Sequence, residues 1–582
     1  MKLIKTTVFE VTNLMTDWQD LKKNEGLLAM QESHFHGTEG WKKKKKRIYA
    51  KMRAVGRVNW ALSMARTLAI IFQLLVPEMN RRNVLPNITV MAVPEVTVEK
   101  LPDKMLQAIF SYLSPYQVLI VGQVCRRWKE IAQSPSLWHL ISFRPSYGGL
   151  QVTNQEYFLH LIGSRFTELR VIELATDLIT PNVLHELAAR CPQLWSMTLD
   201  FSTAMQLHDF SDLQSFPSRL RSLTICLSGN IFLEGFLRKV YTFISSMEVL
   251  QIIGTYEKIE DEEEEVYETV NVHKLKQYIP NLRVVNFWGV PFITDEHVES
   301  ISSNCAHLEC LCINYCTKVT GSCLRLVLQR CKKLRSLLLA HASLDNEIIK
   351  SIEWEKTHIE ELNICATELS PDALISILTR LKHLIWLDAS WLENMNDQVL
   401  EAWLASDSIV NLQYLNLDTC DSLNEASLTD LISRMGNQLL GLNLGGHHKL
   451  LEYFWTNMIP KLKNIKVLVM GTAEDCCSKV LAKIHIDQFI DGIAQNCPKL
   501  CRLEIRWDDG TLRFSDKSSK FIDTLRLKCL KLRSVVLSDG QYYELVRSNF
   551  ERADRLCVVR TLEMCRTGLM HCSKYYNQLL FN

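Results

Sequence analysis

The sequence has almost no net charge. Its 66 lysines and arginines are balanced by 65 aspartates and glutamates, which leaves a formal charge of +1 at pH 7. Without a basic excess there is no global signal for nucleic-acid binding, and without an acidic excess there is none for an extended, disordered protein. With 23% charged and 47% hydrophobic residues, the composition is typical of globular domains.

The sequence also lacks closely spaced cysteine pairs. It contains 19 cysteines, but no CxxC pair with the spacing of metal ligands occurs among them. Five recur three positions before the first apolar residue of a predicted strand: Cys191, Cys305, Cys331, Cys497 and Cys529. Because metal ligands must converge, whereas these positions are stacked along repeats, we predict small buried side chains and no metal site. No convincing secretory signal is found, so we expect reduced thiols in a cytoplasmic and/or nuclear protein.

Motifs for catalysis are missing as well. The sequence contains no glycine-rich phosphate loop, no nucleophile elbow, no HExxH motif and no Cys/His constellation in a credible context. We therefore predict no catalytic residues, no cofactor-binding residues and no cofactor, and we expect that the protein is not an enzyme.

Residues 1–95 are predicted to form a basic, partly disordered N-terminal extension. The run Lys42–Arg47 is interpreted either as a nuclear import signal or as a solvated linker. The segment Val58–Val76 is almost long enough to span a membrane. However, polar residues such as Ser63 and Arg66 fall at helical spacing on one side, which favours an amphipathic helix that does not span. The role of the extension stays open between a nuclear signal, membrane association and a dispensable segment.

Residues 160–560 repeat an LxxLxL strand, a turn and a helical segment about 14 times, usually at a spacing of about 25–28 residues, as in leucine-rich repeats. The first apolar residues of the predicted strands are Leu169, Leu194, Leu220, Met247, Leu282, Leu308, Leu334, Ile359, Leu384, Leu412, Leu439, Ile465, Leu500 and Leu532. The acidic run Glu260–Glu265 is predicted to be a solvated loop between repeats. We therefore predict an α/β fold, a leucine-rich-repeat solenoid of horseshoe shape, with residues 561–582 as a C-terminal cap or tail.

The predicted strands display one row of side chains per repeat on the concave face, because residues between the leucines point outward. Aromatic side chains in such a row are typical of interface anchors. The candidate substrate-binding residues are Trp288, Trp386, Asp388, Tyr414, Asn416 and Asp418. All except Trp288 lie on consecutive predicted repeats, so we expect them to be neighbours. The alternative is that the C-terminal tail or a long loop covers these aromatic residues.

Residues 96–145 form a separate predicted module of three short helices. Ser114-Pro115 and Ser134-Pro135 are each typical of a helix start. The stretch between them is predicted to be one helix with an apolar side that runs from Val121 to Ile131. A module this small cannot bury that much apolar surface by itself, so we expect it to dock on a partner.

The segment LPDKMLQAIFSYLSPYQVLIVGQVCRRWKEIAQSPSLW, residues 101–138, closely resembles the F-box. Together with the repeats, the chain is similar to the F-box and leucine-rich-repeat proteins, which are substrate receptors of SCF-type (Skp, cullin, F-box) ubiquitin ligases. The resemblance implies that the F-box docks a Skp adaptor, which bridges to cullin and RING subunits. It also implies that the repeats bind a protein substrate for ubiquitination and proteasomal degradation.

The adaptor contacts that this resemblance implies are Leu101, Pro102, Ile109, Leu113, Val124, Cys125, Trp128, Leu137 and Trp138. Which of these residues face the adaptor, and which fill the core of the module itself, is not separable from the sequence.

Other functions are considered beside this one. The alternative is a repeat scaffold that binds partners without ubiquitin ligase assembly, its F-box-like segment serving only as a cap. A small-molecule site of the kind found in one branch of the family needs converging cations, and the concave row offers only Arg502 and Arg506. Lys42–Arg47 alone is a weak signal for nucleic acid, so we do not expect nucleic acid as a partner. We do not expect a membrane either, because Val58–Val76 favours an amphipathic helix that does not span.

Overall fold

The structure is a computed structural model. It describes residues 101–575, apart from residues 153, 205–207, 229–232, 245, 255–269, 473–482, 551–556 and 561–568. The predictions for Lys42–Arg47, Val58–Val76 and Glu260–Glu265 lie outside the described residues. Among the helices that are described, none is both long and apolar enough to cross a membrane. The described residues separate into two compact units, the first up to Leu137 and the second from Trp138 onward.

The first unit is a module of short helices. They are α1 (Asp103–Phe110), α2 (Pro115–Val121), α3 (Arg126–Ala132) and a single 3-10 turn (Pro135–Leu137). Helix α2 begins as predicted, with a capping box in which Ser114 Oγ accepts the Gln117 N–H at 3.3 Å. The stretch predicted as one helix is two, because Cys125 is extended and its Sγ accepts the Trp128 N–H at 3.5 Å, which starts α3.

The second unit is a solenoid built on one parallel sheet. Among the residues described, this sheet has 16 strands, and each strand pairs with the sheet strands that precede and follow it in the chain. The strands of this sheet are β1 Leu140–Phe143, β2 Val171–Ala175, β3 Ser196–Asp200, β4 Ser222–Cys226, β5 Val249–Ile253, β6 Val284–Asn286, β7 Cys310–Cys312, β8 Ser336–Leu338, β9 Glu361–Asn363, β10 Trp386–Asp388, β11 Tyr414–Asn416, β12 Gly441–Asn443, β13 Val467–Met470, β15 Arg502–Ile505, β17 Ser534–Leu537 and β18 Cys557–Arg560. Strands β14 (Ile484–His485) and β16 (Leu512–Arg513) form a separate parallel pair.

Each helix of this unit lies between two consecutive strands of the sheet, and in the described residues only β3 and β4 follow one another without a helix. The helices are α4 Gln155–Arg165, α5 Pro181–Arg190, α6 Glu234–Phe243, α7 Val272–Tyr278, α8 Asp295–Ser302, α9 Leu324–Arg330, α10 Asn346–Ser351, α11 Pro371–Leu378, α12 Asp397–Leu404, α13 Glu425–Met435, α14 Glu452–Met458, α15 Ile486–Asn496, α16 Ser518–Lys528 and α17 Gln541–Phe550. Several begin with a side-chain cap; Ser370, for example, accepts the Ala373 N–H at 3.3 Å before α11.

The repeat pattern predicted from the sequence is confirmed strand by strand. Each of the fourteen predicted first apolar residues lies two positions before a strand of the sheet, as Leu384 does before β10. The sheet extends by one more strand at each end, β1 and β18. Strand β1 lies within the range predicted for the F-box module, but it belongs to the sheet of the second unit. It pairs with β2, and the His139 carbonyl just before β1 accepts the N–H groups of Arg170 and Val171.

The core of the solenoid consists of leucines stacked from repeat to repeat. Leu362, Leu387 and Leu415 are partners in the register of β9, β10 and β11, and all three are fully buried. Burial of such a side chain contributes about 1.5–3 kcal/mol, so neighbouring repeats stabilise one another. The strand residues that alternate with these leucines lie on the opposite face of the sheet. We call this the outer face; it is the face predicted to be concave.

The five recurrent cysteines are all buried, in agreement with the packing interpretation. Cys331 Sγ donates to the Cys305 carbonyl at 3.6 Å, and Cys529 Sγ donates to the Cys497 carbonyl at 3.3 Å, so these thiols bond to the neighbouring repeat. Burial raises the pKa of Cys331 and of Cys529 to about 11, which keeps both thiols protonated at neutral pH. In the described part of the chain, no three His, Cys, Asp or Glu side chains form a group that could hold a metal ion.

Candidate functional site

The helices of the first unit close around a small apolar core. Trp128 is 7% exposed, and its ring meets that of Phe110 edge-on at a centroid distance of 5.3 Å. Leu101, Ile109 and Ile131 are buried in the same cluster. Three of the predicted adaptor contacts, Leu101, Ile109 and Trp128, therefore hold the module together from within.

The other predicted adaptor contacts in this unit lie nearer the surface. Leu113 and Leu137 are half-buried against the core. Pro102, Val124 and Cys125 are exposed, and Val124 is 49% exposed. The structure thus separates core from surface among residues that the sequence left together, although contact with an adaptor stays a prediction.

Helix α2 carries an apolar face that was not selected from the sequence. Tyr116, Leu119 and Ile120 follow i, i+3, i+4 spacing, so they share one side of the helix. Tyr116 is 38% exposed, and the two aliphatic side chains are partly exposed. The signal was available in PYQVLIV, because its one polar side chain, Gln117, is buried in the capping box. A helix that is apolar all round needs cover on every side.

Trp138 does not belong to the helical module. It is part of the second unit, where it is 2% exposed just before β1. Its ring centroid lies 6.1 Å from that of Phe166, and the Arg165 guanidinium lies over the ring at 5.5 Å. The prediction treated it as a contact of the F-box, but its packing is that of a core residue of the first repeat.

The predicted substrate-binding residues on β10, on β11 and after β11 are brought together, but they are largely closed to solvent. Trp386 and Tyr414 are register partners on β10 and β11. Trp386 is 1% exposed and Tyr414 is half-buried, because residues 569–575, which we call the C-terminal segment, lie over both. Trp288 lies apart from them, with its ring 5.1 Å from that of Tyr315. The cover by a C-terminal tail, considered above as the alternative, is present for Trp386 and Tyr414.

The C-terminal segment is bonded to the sheet at several points. Trp386 Nε1 donates to the Leu569 carbonyl at 3.1 Å. His571 Nε2 lies 3.0 Å from Arg502 Nη1. Ser573 Oγ donates to Glu361 Oε2 at 2.6 Å. A substrate could therefore contact Trp386 only after the C-terminal segment moves away.

Asp388 and Asn416 close the turns that follow their own strands. Asp388 Oδ1 accepts the N–H and the hydroxyl of Ser390 at 3.2 and 2.6 Å, and it also accepts Asn416 Nδ2 at 2.9 Å. Asn416 Oδ1 accepts the Asp418 N–H at 3.1 Å. Burial raises the pKa of Asp388, although these hydrogen bonds oppose the rise. Polar residues at the strand ends thus stabilise the turns that follow, a role that the pattern of outward-pointing residues in the sequence did not reveal.

Asp418 lies in a buried chain of charges. Its Oδ2 accepts Arg506 Nη1 and, at 3.2 Å, Asn443 Nδ2. Arg506 Nε donates to Glu504 Oε1 at 2.8 Å, and Arg502 Nη2 donates to Glu504 Oε2 at 3.0 Å. Burial lowers the pKa of Arg506, but the charges of Asp418 and Glu504 and their hydrogen bonds outweigh it and raise the pKa. Both arginines are therefore engaged with carboxylates rather than converging on an anion site.

Comparison with known families identifies the helical module. Residues 98–144 match the F-box-like family. In the structure, α1, α2 and α3 lie within this range, and the parallel repeat solenoid follows them. The chain therefore has the architecture of the F-box and leucine-rich-repeat (F-box/LRR) proteins.

Particular relatives support the same class. The chain is similar to F-box/LRR-repeat protein 12 of Homo sapiens, with 27% identity over 138 residues, and to that of Mus musculus, with 27% identity over 149 residues. These alignments cover 22% and 24% of this chain and 40% and 43% of the relatives, so the chain matches less than half of each relative's length. The F-box-like match and these similarities support the predicted resemblance to the F-box/LRR proteins.

A solved structure is similar over a longer stretch at a low level. A match to a chain in the crystal structure of the yeast Rad7 and Elc1 complex covers 81% of this chain and 95% of the matched chain, with 14% identity and a TM-score of 0.35. A score of this size supports no conclusion about fold or function.

Proposed function

We propose that this protein is the substrate-recognition subunit of an SCF-type E3 ubiquitin ligase. The F-box module docks a Skp-type adaptor, which bridges to cullin and RING subunits. The repeats hold a protein substrate for ubiquitination and proteasomal degradation. The single observation that carries the proposal is the F-box-like match at residues 98–144.

The apolar surface of the module is the proposed adaptor-docking surface. It consists of the α2 face with Tyr116, the exposed Val124 and Cys125 that follow α2, and Pro102 before α1. Tyrosine is typical of interface anchors, and a module with so small a core gains stability when a partner covers its exposed apolar side chains. Leu113 and Leu137, the other predicted contacts, pack against the core of the module and stay partly exposed.

In this role the protein needs no catalytic group of its own. Ubiquitin transfer is accelerated when the substrate is held beside the conjugating enzyme, which is a proximity effect. The repeats therefore act as a non-catalytic receptor, and we propose that the protein works in the cytoplasm, the nucleus or both. Nucleic acid and membranes are not among the proposed partners.

The proposal is tested with the full chain and a purified Skp-type adaptor, by isothermal titration calorimetry. Tyr116→Ala should weaken adaptor binding by about tenfold, the loss typical of an interface anchor. The thermal midpoint should hardly change, because substitutions at exposed positions usually stay within about 0.5 kcal/mol. Tyr157→Ala is the matched control, since Tyr157 lies on α4 of the other unit and is 52% exposed.

Two results decide the matter. Absence of any adaptor binding by the wild-type chain would refute the receptor function and leave the repeat scaffold without ligase assembly. Adaptor binding that Tyr116→Ala leaves intact would show that the α2 face is not the docking surface. Co-purification of cullin from cells, and substrates that accumulate when neddylation is blocked, then test the assembly of the ligase.

A further inference from the structure

The C-terminal segment lies across the outer face as a short peptide ligand would. It contains one 3-10 turn, Met570–Cys572, with Leu569 before it and Ser573 to Tyr575 after it. Leu569 is 1% exposed and packs with two valines of β13. Tyr575 is 3% exposed and belongs to a buried cluster that includes Cys310 and Cys312 of β7. The segment therefore crosses the strands from β13 back to β7, with one apolar anchor near each end.

Glu361 of β9 is the hydrogen-bonding centre between these two anchors. Its carboxylate accepts Ser573 Oγ at 2.6 Å, the Lys574 N–H at 2.6 Å and the Tyr575 N–H at 3.3 Å. Glu361 is only 5% exposed, and a buried carboxylate is costly unless donors of this kind satisfy it. Two of the three donors are backbone groups, so this site recognises a peptide conformation together with one hydroxyl.

Trp386 provides a further contact with the backbone of the segment. Its indole N–H donates to the Leu569 carbonyl at 3.1 Å while its ring packs in the same cluster as Tyr575. Leu569 also fits beside Gly441: a Cβ added to this glycine would lie 2.9 Å from Leu569 Cδ2. The leucine, the serine hydroxyl and the tyrosine thus each have a separate, shaped contact on β7–β13.

We propose that this part of the outer face is a peptide-binding site and that the C-terminal segment is its resident ligand. The partner that fits is a protein segment of the same chemistry: a leucine, one helical turn, an unphosphorylated serine four positions after the leucine, and a tyrosine two positions later. This inference rests on the proposed function, in which the repeats recognise the substrate, and it names the class of substrate segment. A partner must compete with an intramolecular ligand, so the resident segment limits access to the site.

Phosphorylation of the serine opposes binding at this site. It removes the O–H donor and sets a charge of about −1.5 to −2 against the Glu361 carboxylate, which cannot donate in return. The site therefore selects the unmodified hydroxyl. The same reasoning predicts that a negative charge at Ser573 expels the resident segment.

The test uses a fluorescently labelled peptide of residues 569–575 as the probe, its cysteine kept reduced, and the full chain. Ser573→Asp should expose the site and bind the probe at least about tenfold more tightly than the wild type, a difference of 1.4 kcal/mol. A probe with phosphoserine should bind this variant at least about tenfold more weakly than the unmodified probe. Ser548→Asp is the matched control, because Ser548 is exposed on α17; it should bind the probe as the wild type does.

Hydrogen exchange of residues 569–575 is followed in parallel. If exchange rises in Ser573→Asp but probe binding does not improve, the segment is only a structural cover and the proposal is overturned. If exchange does not rise, Glu361 does not hold the segment and the proposal is overturned as well. Should Ser573→Asp destabilise the repeats, Tyr575→Ala removes an anchor without adding charge and must give the same gain. Adaptor affinity is measured separately and should be unchanged, so failure here is distinct from failure of the ligase function.

Discussion

Replacement of Asp418 by alanine should destabilise the repeats, although the sequence presents Asp418 as a surface residue. Its side chain is 11% exposed and accepts hydrogen bonds from Arg506, from Asn443 at 3.2 Å and from Thr419 Oγ1 at 3.0 Å. Loss of one partner from a buried ion pair costs about 3–5 kcal/mol, because the remaining charge is uncompensated. Since Arg506 keeps Glu504 at 2.8 Å, we expect the lower end of this range.

Hydrogen exchange at the amides of β10–β13 measures this loss, because repeat proteins open locally and a single free energy of unfolding does not describe them. Asp421→Ala is the control: the Asp421 side chain is 52% exposed and lies 3.9 Å from His448. We expect its effect to stay within about 0.5 kcal/mol. Equal, small effects of Asp418→Ala and Asp421→Ala would refute the buried ion pair.

Two further predictions concern the turns that follow the strands. Asp388→Asn should raise the thermal midpoint at pH 7, because it removes a buried carboxylate. Asparagine can still close the turn, since Asn363 closes the equivalent turn on β9 by accepting the Cys365 N–H at 2.9 Å. Burial raises the pKa of Asp388, so the native state holds its proton more tightly and the wild type loses stability as pH rises above the ordinary carboxyl pKa. The gain should therefore shrink at pH 4 in a thermal melt; an equal gain at both pH values would contradict it. Ala366→Gly should stabilise the repeats by about 0.5–1 kcal/mol, since alanine at φ 51° bears left-handed strain that exceeds the entropy cost of glycine. A lower midpoint would show that this strain is absent.

The repeats could be predicted because their signal is local. The position of the buried leucines of β9–β11 is apolar in the other strands of the sheet as well, and a strand that buries alternate residues must repeat this pattern wherever it occurs. The break between α2 and α3 was missed for a local reason as well. The apolar spacing from Val121 to Ile131 continues across it, although α2 ends at Val121 and the extended backbone of Cys125 starts α3.

The division of the F-box residues could not be predicted in the same way. Pro102 and Leu101 are adjacent in sequence, yet one is exposed and the other is buried. Trp128 and Trp138 both look like members of one module, but the first packs on Phe110 and the second packs near Phe166. Hydrophobicity alone predicts burial without saying against which element.

A variant designed from the sequence alone would give a misleading answer. From the sequence, Trp386→Ala with Asp418→Ala would be the natural test of substrate binding, because both residues are predicted to point outward from consecutive repeats. In the structure, Trp386 holds the C-terminal segment and Asp418 holds Arg506. Loss of binding in that variant would therefore report damage to the fold as much as a lost contact.

The sequence by itself determined the F-box-like module, the positions of the strands and the side chains that point outward from them, because periodicity and the F-box motif are properties of short stretches. Only the tertiary structure decided which outward side chains are open. Ser573 reaches Glu361 across 212 positions of the chain. Such a pairing depends on where the solenoid brings the C-terminal segment, and no local pattern of apolar residues contains that information.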